Sequence, residues 1–502
     1  MANSSALKGK LRLNRPFNQN FLMGCILACL PGIYLALTGL GAGGGQPTSQ
    51  HVASITNSIL YGVYTFFGWC AGTFLNYFGP SITVCIGGLG YPLYAGSLWA
   101  FGNGVDQAFP LFAGAFLGFS AALLWTGAGF IQFAYAEEKD KAKYITYQWS
   151  LSAVGGTIGS LIAFAANFHK TSVDGASAAV YIVFIIIMCI AIVGALLLLV
   201  KPKNVVRDDG RHIAVFKQPN IKTEIVGVWK VMSDPKIIIL LPAMFAGEMI
   251  LAPASSINGY FFNLRTRSLA NLLFNFIMIP APLLLAWVMD SPKIKSRKMR
   301  GVVGVTAIGT ITMASLAGVL GWICVHDIDR HKTPPGADWT DGSAAVGYIF
   351  LYLFFGIVDA CFQIVVQWTL SALTNDPVLC ARYAGAFRGT VSLGMCIAFT
   401  LDARTVSYKN QIIIQLCVYA LALASLYYVI LTYVKETNYF AEENVIVPVA
   451  FEEKAIVEGL VADDVIRRER ELEKIARGLA LDEESNESNE AVAEAETVHV
   501  KG

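Results

Sequence analysis

Three polar side chains recur at intervals of four residues in an otherwise apolar stretch, GIVDACFQIVVQWTLSAL (356–373). Asp359, Gln363 and Gln367 would share one face of a helix, because residues four apart are neighbours on its surface. An ionised carboxylate in lipid costs about 2.5–3.5 kcal/mol. We therefore expect Asp359 to face a polar cavity or a partner, or to carry a proton. The stripe would line a path for solutes or protons, or it would join packed helices through hydrogen bonds.

A second acid, Glu248, and a base, Arg388, lie in two further apolar stretches, LLPAMFAGEMILAPASS and GAFRGTVSLGMCIAF. Either acid could exchange a proton during a transport cycle. Arg388 could neutralise Asp359 or Glu248, and the sequence leaves both pairings open. In the first half, Gln132 could line the same cavity or take part in ordinary helix packing. The predicted substrate- or proton-coupling residues are Asp359, Glu248, Gln363, Gln367, Arg388 and Gln132.

The composition is that of a membrane protein. Of the 502 residues, 55% are hydrophobic and only 15% are charged, whereas about a quarter of a soluble protein is charged. Uncharged runs of about 20 residues recur, and each could span a hydrocarbon core about 30 Å thick. The net charge of +1 gives no sign of a nucleic-acid partner. No Walker A, HExxH or GxSxG motif and no metal-spaced set of His and Cys occurs, so we expect neither an enzyme nor a cofactor.

The apolar segments can be placed as six spans, a polar linker and six more spans. They cover residues 20–40, 54–76, 81–101, 109–134, 145–167, 177–200, 237–257, 268–289, 301–324, 345–370, 384–402 and 411–434. The predicted fold is an all-α membrane protein with about twelve transmembrane helices in two pseudo-symmetric six-helix bundles. Its predicted parts are an N-terminal segment (1–19), the two bundles (20–200 and 237–434), the linker (201–236) and an acidic, partly disordered tail (435–502).

Lysine and arginine are concentrated in the connections on one side of these spans. Examples are Lys139, Lys141 and Lys143, and the run KIKSRKMR (293–300). Such a bias marks the cytosolic side. Both termini and the linker of this multi-pass protein are therefore predicted to be cytosolic, in the plasma membrane or an endomembrane.

The tail contains an apolar stripe at helical spacing, formed by Val461, Val465, Ile466, Leu472 and Ile475. This stripe would dock on the membrane domain or on a partner, or it would belong to a solvated helix. The stretch LDEESNESNEAVAEAE (481–496) is too polar to bury a core, and we expect it to be disordered.

Six plus six spans with a linker resemble the major facilitator superfamily. Its signature after the second span is a glycine, three residues, an aspartate, and then bases around a second glycine. Gly72, Asn76 and Gly79 match the spacing, but Asn76 replaces the aspartate and the bases are absent. The second half keeps Asp290, with the run KIKSRKMR close behind. The resemblance implies that Asn76 and Asp290 are gate residues, with a charged latch that is degenerate in the first half.

Longer segments resemble the Unc-ninety-three-like branch of that superfamily, particularly its fungal members. They are CLPGIYLALTGLGAGGGQ (29–46), LLWTGAGFIQFAYAEEKDKAKYI (123–145), GIVDACFQIVVQWTLSALTND (356–376) and YAGAFRGTVSLGMCIAFTLDA (383–403). Ala136 and Ala142 depart from that branch, which tends to have a proline and a glycine there. Its members include potassium-channel regulators, trafficking chaperones and presumed transporters, so the resemblance implies the fold more narrowly than the activity.

Two functions remain as hypotheses. The first is a secondary transporter that works by alternating access, is coupled to protons or another ion, and moves a small solute across the bilayer. The second is a transporter-shaped regulatory or chaperone subunit that binds another membrane protein. The charged loop AEEKDKAKY (136–144) would be a solvated surface, or it would latch the cytosolic gate against the run KIKSRKMR.

Overall fold

The computed structural model describes residues 11–35, 49–168, 178–216, 220–458 and 465–478, most of which are helical. In this part of the chain, nine helices are long and apolar enough to cross a membrane. One of them, Ile55–Gly102, has 48 residues, or about 72 Å of helix, which is enough for two crossings. It is broken at Gly79, whose φ of 76° is a left-handed conformation open to glycine.

In the described part of the chain, the first half supplies six crossings. They are formed by α1 (Pro16–Leu27), α2 (Ser49–Gly88, broken at Gly79), α3 (Gly90–Gly102), α4 (Ala108–Ala134), α5 (Lys141–Asn167) and α6 (Ala178–Leu198). Four of these crossings come from three of the nine apolar helices, and two, α1 and α5, lie outside that set. The first crossing continues from α1 into a π-helical turn, Ala28–Gly32, which contains Pro31. Proline has no N–H to donate and so disturbs regular α-helical bonding at this point.

The second half supplies the other six, as predicted. Its helices are α7 (Ile221–Met232), α8 (Pro235–Ala246), α9 (Leu251–Phe261), α10 (Leu264–Ile277), α11 (Pro280–Met289), α12 (Arg297–Val325), α13 (Ser343–Ala372), α14 (Pro377–Ala403) and α15 (Tyr408–Tyr433). The seventh crossing consists of α8 and α9, and the eighth consists of α10 and α11. Helix α7 lies in the segment predicted as the linker (201–236).

The two halves approach most closely where α2 packs against α14. A Cβ atom added at Gly68 would lie 2.6 Å from the backbone of Gly389, and one added at Gly72 would lie 2.6 Å from the carbonyl oxygen of Ala381. A Cβ at Gly385 would similarly lie 2.8 Å from the Gly68 oxygen. Only glycine permits this contact between backbones, as at other close helix crossings in membranes. We refer to Gly68, Gly72, Gly385 and Gly389 as the glycine seam.

Both ends of the described chain pack with the linker on one face of the membrane domain, which we call the inner face. Arg15 donates two hydrogen bonds to the Asp208 carboxylate, at 2.7 and 2.6 Å. Arg207 donates to the carbonyl oxygen of Ile446 at 2.6 Å. Both ends of the membrane domain therefore lie on one side of it. The positive-inside rule predicts that this side is cytosolic.

The tail adds two helices to the inner face, α16 (Val449–Val457) and α17 (465–478). Helix α17 does not bury the whole predicted stripe, because Ile475 is 51% exposed. Leu472 and the buried Ala476 pack instead against Val215 and Ile446. Val461 of the predicted stripe and the stretch 481–496 lie outside the described residues.

Two glutamates of α17 are buried in place of Ile475. Glu469 accepts a hydrogen bond from the backbone N–H of Val447 at 3.0 Å. Glu473 accepts one from the backbone N–H of His212 at 3.1 Å, and its other oxygen lies 3.1 Å from the His212 ring. These polar contacts decide which side of α17 faces the membrane domain, since a buried carboxylate must find donors.

Candidate functional site

The seventh crossing is interrupted at Gly247–Ile250, between α8 and α9. The N–H groups of Gly247, Met249 and Leu251 each donate to the carbonyl three residues earlier, which tightens the turn. The Met249 carbonyl also accepts a hydrogen bond from Gln415 of α15 at 2.7 Å. Interrupted helices in membranes are tolerated where protein groups satisfy the backbone, and they often form binding sites in transporters.

Glu248 lies in this interruption and forms an ion pair with Arg388 of α14. Its Oε1 atom is 3.2 Å from the Arg388 Nη1 atom, and the two side chains are 18% and 3% exposed. Of the two pairings that the sequence leaves open, the structure therefore contains Arg388–Glu248. The Arg388 guanidinium also lies over the ring of Trp125 in α4, with 4.3 Å between Cζ and the ring centroid. The pair thus contacts both halves of the protein.

The predicted stripe on α13 is buried next to this pair. Asp359, Gln363 and Gln367 are 4%, 0% and 1% exposed. The side chain of Gln363 donates to the Asp359 carbonyl oxygen at 3.0 Å and lies beside the Glu248 carboxylate. Glu248 is also close enough to Asp359 for the two carboxyl groups to interact electrostatically. The structure thus brings together four of the predicted residues, Asp359, Gln363, Glu248 and Arg388.

Several acceptors in this cluster have no hydrogen-bond partner among the described residues. They are the Oδ1 atom of Asp359 and the Oε1 atoms of Gln363 and Gln367. Among the described residues, Gln367 makes no polar contact with Glu248 or Arg388. The cluster thus contains unpaired hydrogen-bond acceptors, which a proton or a donor group would satisfy.

An aromatic surface of the first half faces the ion pair. Tyr64 and Tyr91 are buried. Both lie within range of electrostatic interaction with Arg388 and Glu248. The Trp125 indole lies beside the Tyr91 hydroxyl. Tyr64 and Tyr91 are not predicted from the sequence, because aromatic side chains are common in membrane spans. The spacing of Tyr61 and Tyr64, three residues apart near the middle of a span, is the one signal that points to them.

Gln132 belongs to a separate network within the first half. It donates to Gln148 at 2.7 Å, Gln148 donates to Asn20 at 2.7 Å, and Asn20 donates to the Tyr144 carbonyl at 3.0 Å. All three amide side chains are buried. This chain of bonds joins α1, α4 and α5, so the structure places Gln132 in helix packing.

Asp290, the gate residue predicted in the second half, caps the start of α5 in the first half. Its carboxylate accepts hydrogen bonds from the backbone N–H groups of Lys143 at 2.7 Å and Ala142 at 3.3 Å. A carboxylate at a helix N-terminus is favoured by the helix dipole. Burial nevertheless raises the pKa of Asp290 to about 7, against the effect of these two bonds.

Glu138 forms a second contact between the halves on the inner face. Its Oε1 atom lies 3.0 Å from the Arg297 guanidinium. The same carboxylate accepts from the side chain of Asn375 at 2.7 Å and from the backbone N–H of Asn438 at 2.8 Å. The structure thus joins the charged loop 136–144 to the run KIKSRKMR, the arrangement that a latch requires.

Asn76, the other predicted gate residue, belongs to a third contact. Its side chain donates to Glu224 of α7 at 3.0 Å and to the Val378 carbonyl at 3.5 Å. Glu224 also pairs with Arg382 of α14, at 2.8 Å. Sequence reasoning misses Glu224 and Arg382, because charges in a polar linker and at a helix end carry no signal of their own. In the structure these three contacts join the two halves at the inner face.

A family model described as "Ion channel regulatory protein UNC-93" matches residues 48–250. An uncharacterized membrane protein of Schizosaccharomyces pombe is 43% identical over 406 residues, which are 81% of this chain and 82% of that protein. UNC93-like protein 1 of Arabidopsis thaliana is 34% identical over 438 residues, which are 86% of this chain and 93% of that protein.

Solved transporter structures share the fold at low sequence identity. The Major Facilitator Superfamily transporter FucP, in its outward conformation, aligns with a TM-score of 0.58 and 11% identity, over 83% of this chain and 99% of FucP. A bacterial homologue of the iron transporter ferroportin, in an outward-facing state, aligns with a TM-score of 0.55 and 12% identity, over 84% of this chain and 99% of that protein. These likenesses concern the fold alone.

Proposed function

Because this chain belongs to the UNC-93 family and has the major facilitator fold, we propose that it is a secondary transporter rather than an enzyme. It works by alternating access, with both termini in the cytosol, and moves a small solute at the expense of an ion gradient, most simply a proton gradient. The observation that carries this proposal is the largely buried ion pair between Glu248 and Arg388, whose Oε1 and Nη1 atoms are 3.2 Å apart, at the interruption of the seventh crossing.

The charges of the site support coupling to protons. Asp359 and Glu248 bring two carboxyl groups and Arg388 brings one guanidinium, so one proton shared between the acids makes the site neutral. Burying an unbalanced charge is costly. Loading and release of that proton would therefore change how easily the halves close around the site, and ionisable groups within spans commonly serve proton relays.

The contact between Arg388 and Trp125 supports coupling to the solute. An acidic or hydrogen-bonding solute would compete with Glu248 for the five donors of the guanidinium. The displaced Glu248 carboxylate would then take up a proton. Since Arg388 belongs to the second half and Trp125 to the first, a solute bound here would contact both halves, as alternating access requires.

The inner-face contacts of Asp290, Glu138 and Glu224 support a state that is closed on that face. Opening towards the cytosol would separate these residues from their partners across the halves. The transport cycle would thus alternate between the closed inner face and a state in which the three contacts are broken.

The test is transport by the purified protein in proteoliposomes with an imposed pH gradient and a panel of acidic, basic and neutral solutes. Wild-type protein should accumulate a solute, and Glu248→Gln should abolish accumulation while the protein still purifies as a folded species. Glu458→Gln is the matched control. It makes the same chemical change at an exposed carboxylate paired with Lys454, and it should transport normally. Accumulation by Glu248→Gln at the wild-type rate would contradict the proposal.

A second candidate is a regulatory or chaperone subunit for another membrane protein. It is favoured by the description of the matching family model, "Ion channel regulatory protein UNC-93". Under this hypothesis no solute accumulates in any gradient, and the protein instead changes the current or the surface amount of a co-expressed channel. A comparison of both readouts in one cell line distinguishes the two functions.

A further inference from the structure

The linker helix α7 has one side that packs against the two halves of the membrane domain. Glu224 lies on this side and bonds to Asn76 of the first half at 3.0 Å and to Arg382 of the second half at 2.8 Å. A second oxygen–nitrogen contact between Glu224 and Arg382 measures 3.4 Å. A Cβ atom at Gly227 would lie 2.2 Å from the Arg382 Cζ atom. The helix therefore rests directly on the guanidinium.

Glu224 supplies a negative charge that is missing at Asn76, the pseudo-symmetric counterpart of Asp290. After the eighth crossing, Asp290 brings its own carboxylate to the start of α5. After the second crossing, Asn76 brings only an amide to the start of α14, at the Val378 carbonyl. The carboxylate next to Arg382 comes from the linker. The inner contact on this side of the molecule thus depends on where α7 is held.

The opposite side of α7 is apolar and exposed. Ile225, Val226, Trp229 and Met232 are 63%, 52%, 70% and 40% exposed. Lys230 is exposed at one edge of this side, and Lys222 is exposed on it at the start of the helix. A helix with an apolar side, a tryptophan and bordering lysines is suited to lie in a membrane interface, with its cations near the phosphate groups.

The position of α7 in the fold places this side at the membrane surface. Helix α7 ends at Met232, and the seventh crossing begins at Pro235. On the neighbouring helix α2, Tyr77 and Phe78 are 52% and 44% exposed and lie next to Asn76, the partner of Glu224. The apolar side of α7 therefore continues the lipid-facing surface of the membrane domain at the inner face.

We propose that α7 lies in the inner leaflet of the bilayer, with Ile225, Trp229 and Met232 among the lipid chains, and that this contact holds Glu224 where it clamps the two halves. The occupant of the exposed apolar side is the phospholipid bilayer itself. Loss of the lipid contact frees the clamp and opens the inner face. This inference concerns the closed state of the protein and holds whether or not a solute is transported.

The clamp is tested with a native thiol. Cys380 is fully buried at the inner end of α14 and lies near Lys141 of the first half, so it lies between the halves. Maleimide labelling of Cys380 is measured by peptide mass spectrometry on the full-length protein in liposomes. Glu224→Gln should raise the labelling rate about tenfold, the change expected from loss of one charged hydrogen bond. Glu458→Gln, at an exposed carboxylate paired with Lys454, should not change it.

A relocated carboxylate keeps this test valid if Glu224→Gln alone folds poorly. In the double variant Asn76→Asp with Glu224→Gln, the acid stands one hydrogen-bond length from its original place, beside Arg382. Labelling of Cys380 should return towards the wild-type rate. Unchanged labelling in Glu224→Gln, or no recovery in the double variant, overturns the clamp.

The lipid contact is tested by fluorescence in vesicles of phosphatidylcholine and phosphatidylglycerol with acyl chains brominated near the headgroup. The fluorescence of Trp229 is obtained as the difference in emission between wild type and Trp229→Phe. This fluorescence should be quenched by the brominated lipid. Trp229→Glu should also raise Cys380 labelling as Glu224→Gln does, whereas Val325→Glu, at an exposed site on α12, should not. A Trp229 signal that lipid does not quench means that protein covers the helix, and this overturns the proposal. Wild-type labelling in Trp229→Glu overturns the coupling between lipid and clamp.

Discussion

The Cζ atom of Arg388 lies 4.3 Å from the ring centroid of Trp125, so a cation of the second half rests on an aromatic ring of the first. The same guanidinium pairs with Glu248. One side chain therefore connects the interrupted seventh crossing to α4. A substitution of Arg388, Trp125 or Glu248 should therefore alter the position of the other two side chains.

Arg388→Lys and Trp125→Leu should both impair transport. Lysine keeps the charge but loses the planar fork that stacks on a ring and pairs with a carboxylate. Removal of the ring costs about 1–2 kcal/mol for a desolvated cation–π contact, which corresponds to roughly a tenfold loss of solute affinity. The measurement is concentration-dependent uptake in proteoliposomes. Trp99→Leu, which removes a ring that stacks on Tyr181, is the control. Equal losses in Trp99→Leu and Trp125→Leu would indicate general destabilisation.

Asp359→Asn and Asp359→Leu separate a proton carrier from a packing residue. The amide is nearly isosteric with the acid, so Asp359→Asn should fold normally and yet lose accumulation driven by the pH gradient, while solute exchange is spared. Asp359→Leu should be at least as harmful to transport. The two readouts are gradient-driven uptake and counterflow exchange. Normal accumulation by Asp359→Asn, with loss of expression in Asp359→Leu, would assign the acid to helix packing.

Opening of the inner face should depend on pH through Asp290. In the closed state burial raises its pKa to about 7, whereas an exposed aspartate has a pKa of about 3.9. The closed state therefore binds more protons and is favoured at low pH, and this advantage is lost as the pH rises through 7. Between pH 8 and pH 6 the closed-to-open ratio should increase about tenfold. The labelling rate of Cys380, corrected for the pH dependence of thiol ionisation measured on the denatured protein, should fall accordingly.

Asp290→Asn provides the reference for this effect. The amide does not titrate, so labelling of Cys380 in this variant should show no pH dependence between 6 and 8 beyond that of thiol ionisation. A pH response that persists unchanged in Asp290→Asn would mean that another group is responsible.

Removal of α17 should destabilise the inner face. A chain cut after Glu458 loses Glu469 and Glu473, which accept the N–H groups of Val447 and His212. Each unsatisfied buried donor costs about 1–3 kcal/mol, so the melting temperature in detergent should fall by several degrees. A chain cut after Gly478 retains α17 and should melt as wild type. Equal melting temperatures for the two truncations would show that α17 contributes no stability.

The orientation of the protein can be measured with exposed single probes. His331→Cys and Glu443→Cys replace exposed residues on opposite faces of the membrane domain. In intact cells an impermeant maleimide should label His331→Cys and leave Glu443→Cys unlabelled until the membrane is permeabilised. The reverse pattern would place the termini outside.

The spans were predictable from the sequence because hydrophobic length is a local property. The partner of Arg388 was not, because Asp359 and Glu248 come from different helices and only the packing of α8, α13 and α14 decides which acid it meets. The role of Glu224 was not predictable for a related reason. A carboxylate in a polar linker is expected to be solvated, and only the position of α7 on Arg382 shows that it is paired.

The tail shows how the hydrophobic pattern can mislead. Spacing alone assigns Ile475 to the buried side of α17, yet it is 51% exposed. Backbone N–H groups of the linker and of the segment after α15 must be satisfied, and two glutamates do so more effectively than any apolar side chain could. A prediction from hydropathy cannot include donors contributed by distant parts of the chain.

The glycine seam has a consequence for genetics. On α2 and on α14 its members are four residues apart, and each helix leaves no room for a β-carbon at those positions. Alanine at any of them would wedge the halves apart through one added methyl group. Screens for inactivating alleles should therefore recover substitutions of these glycines on both helices, and the variant proteins should reach the membrane although their two halves no longer pack together.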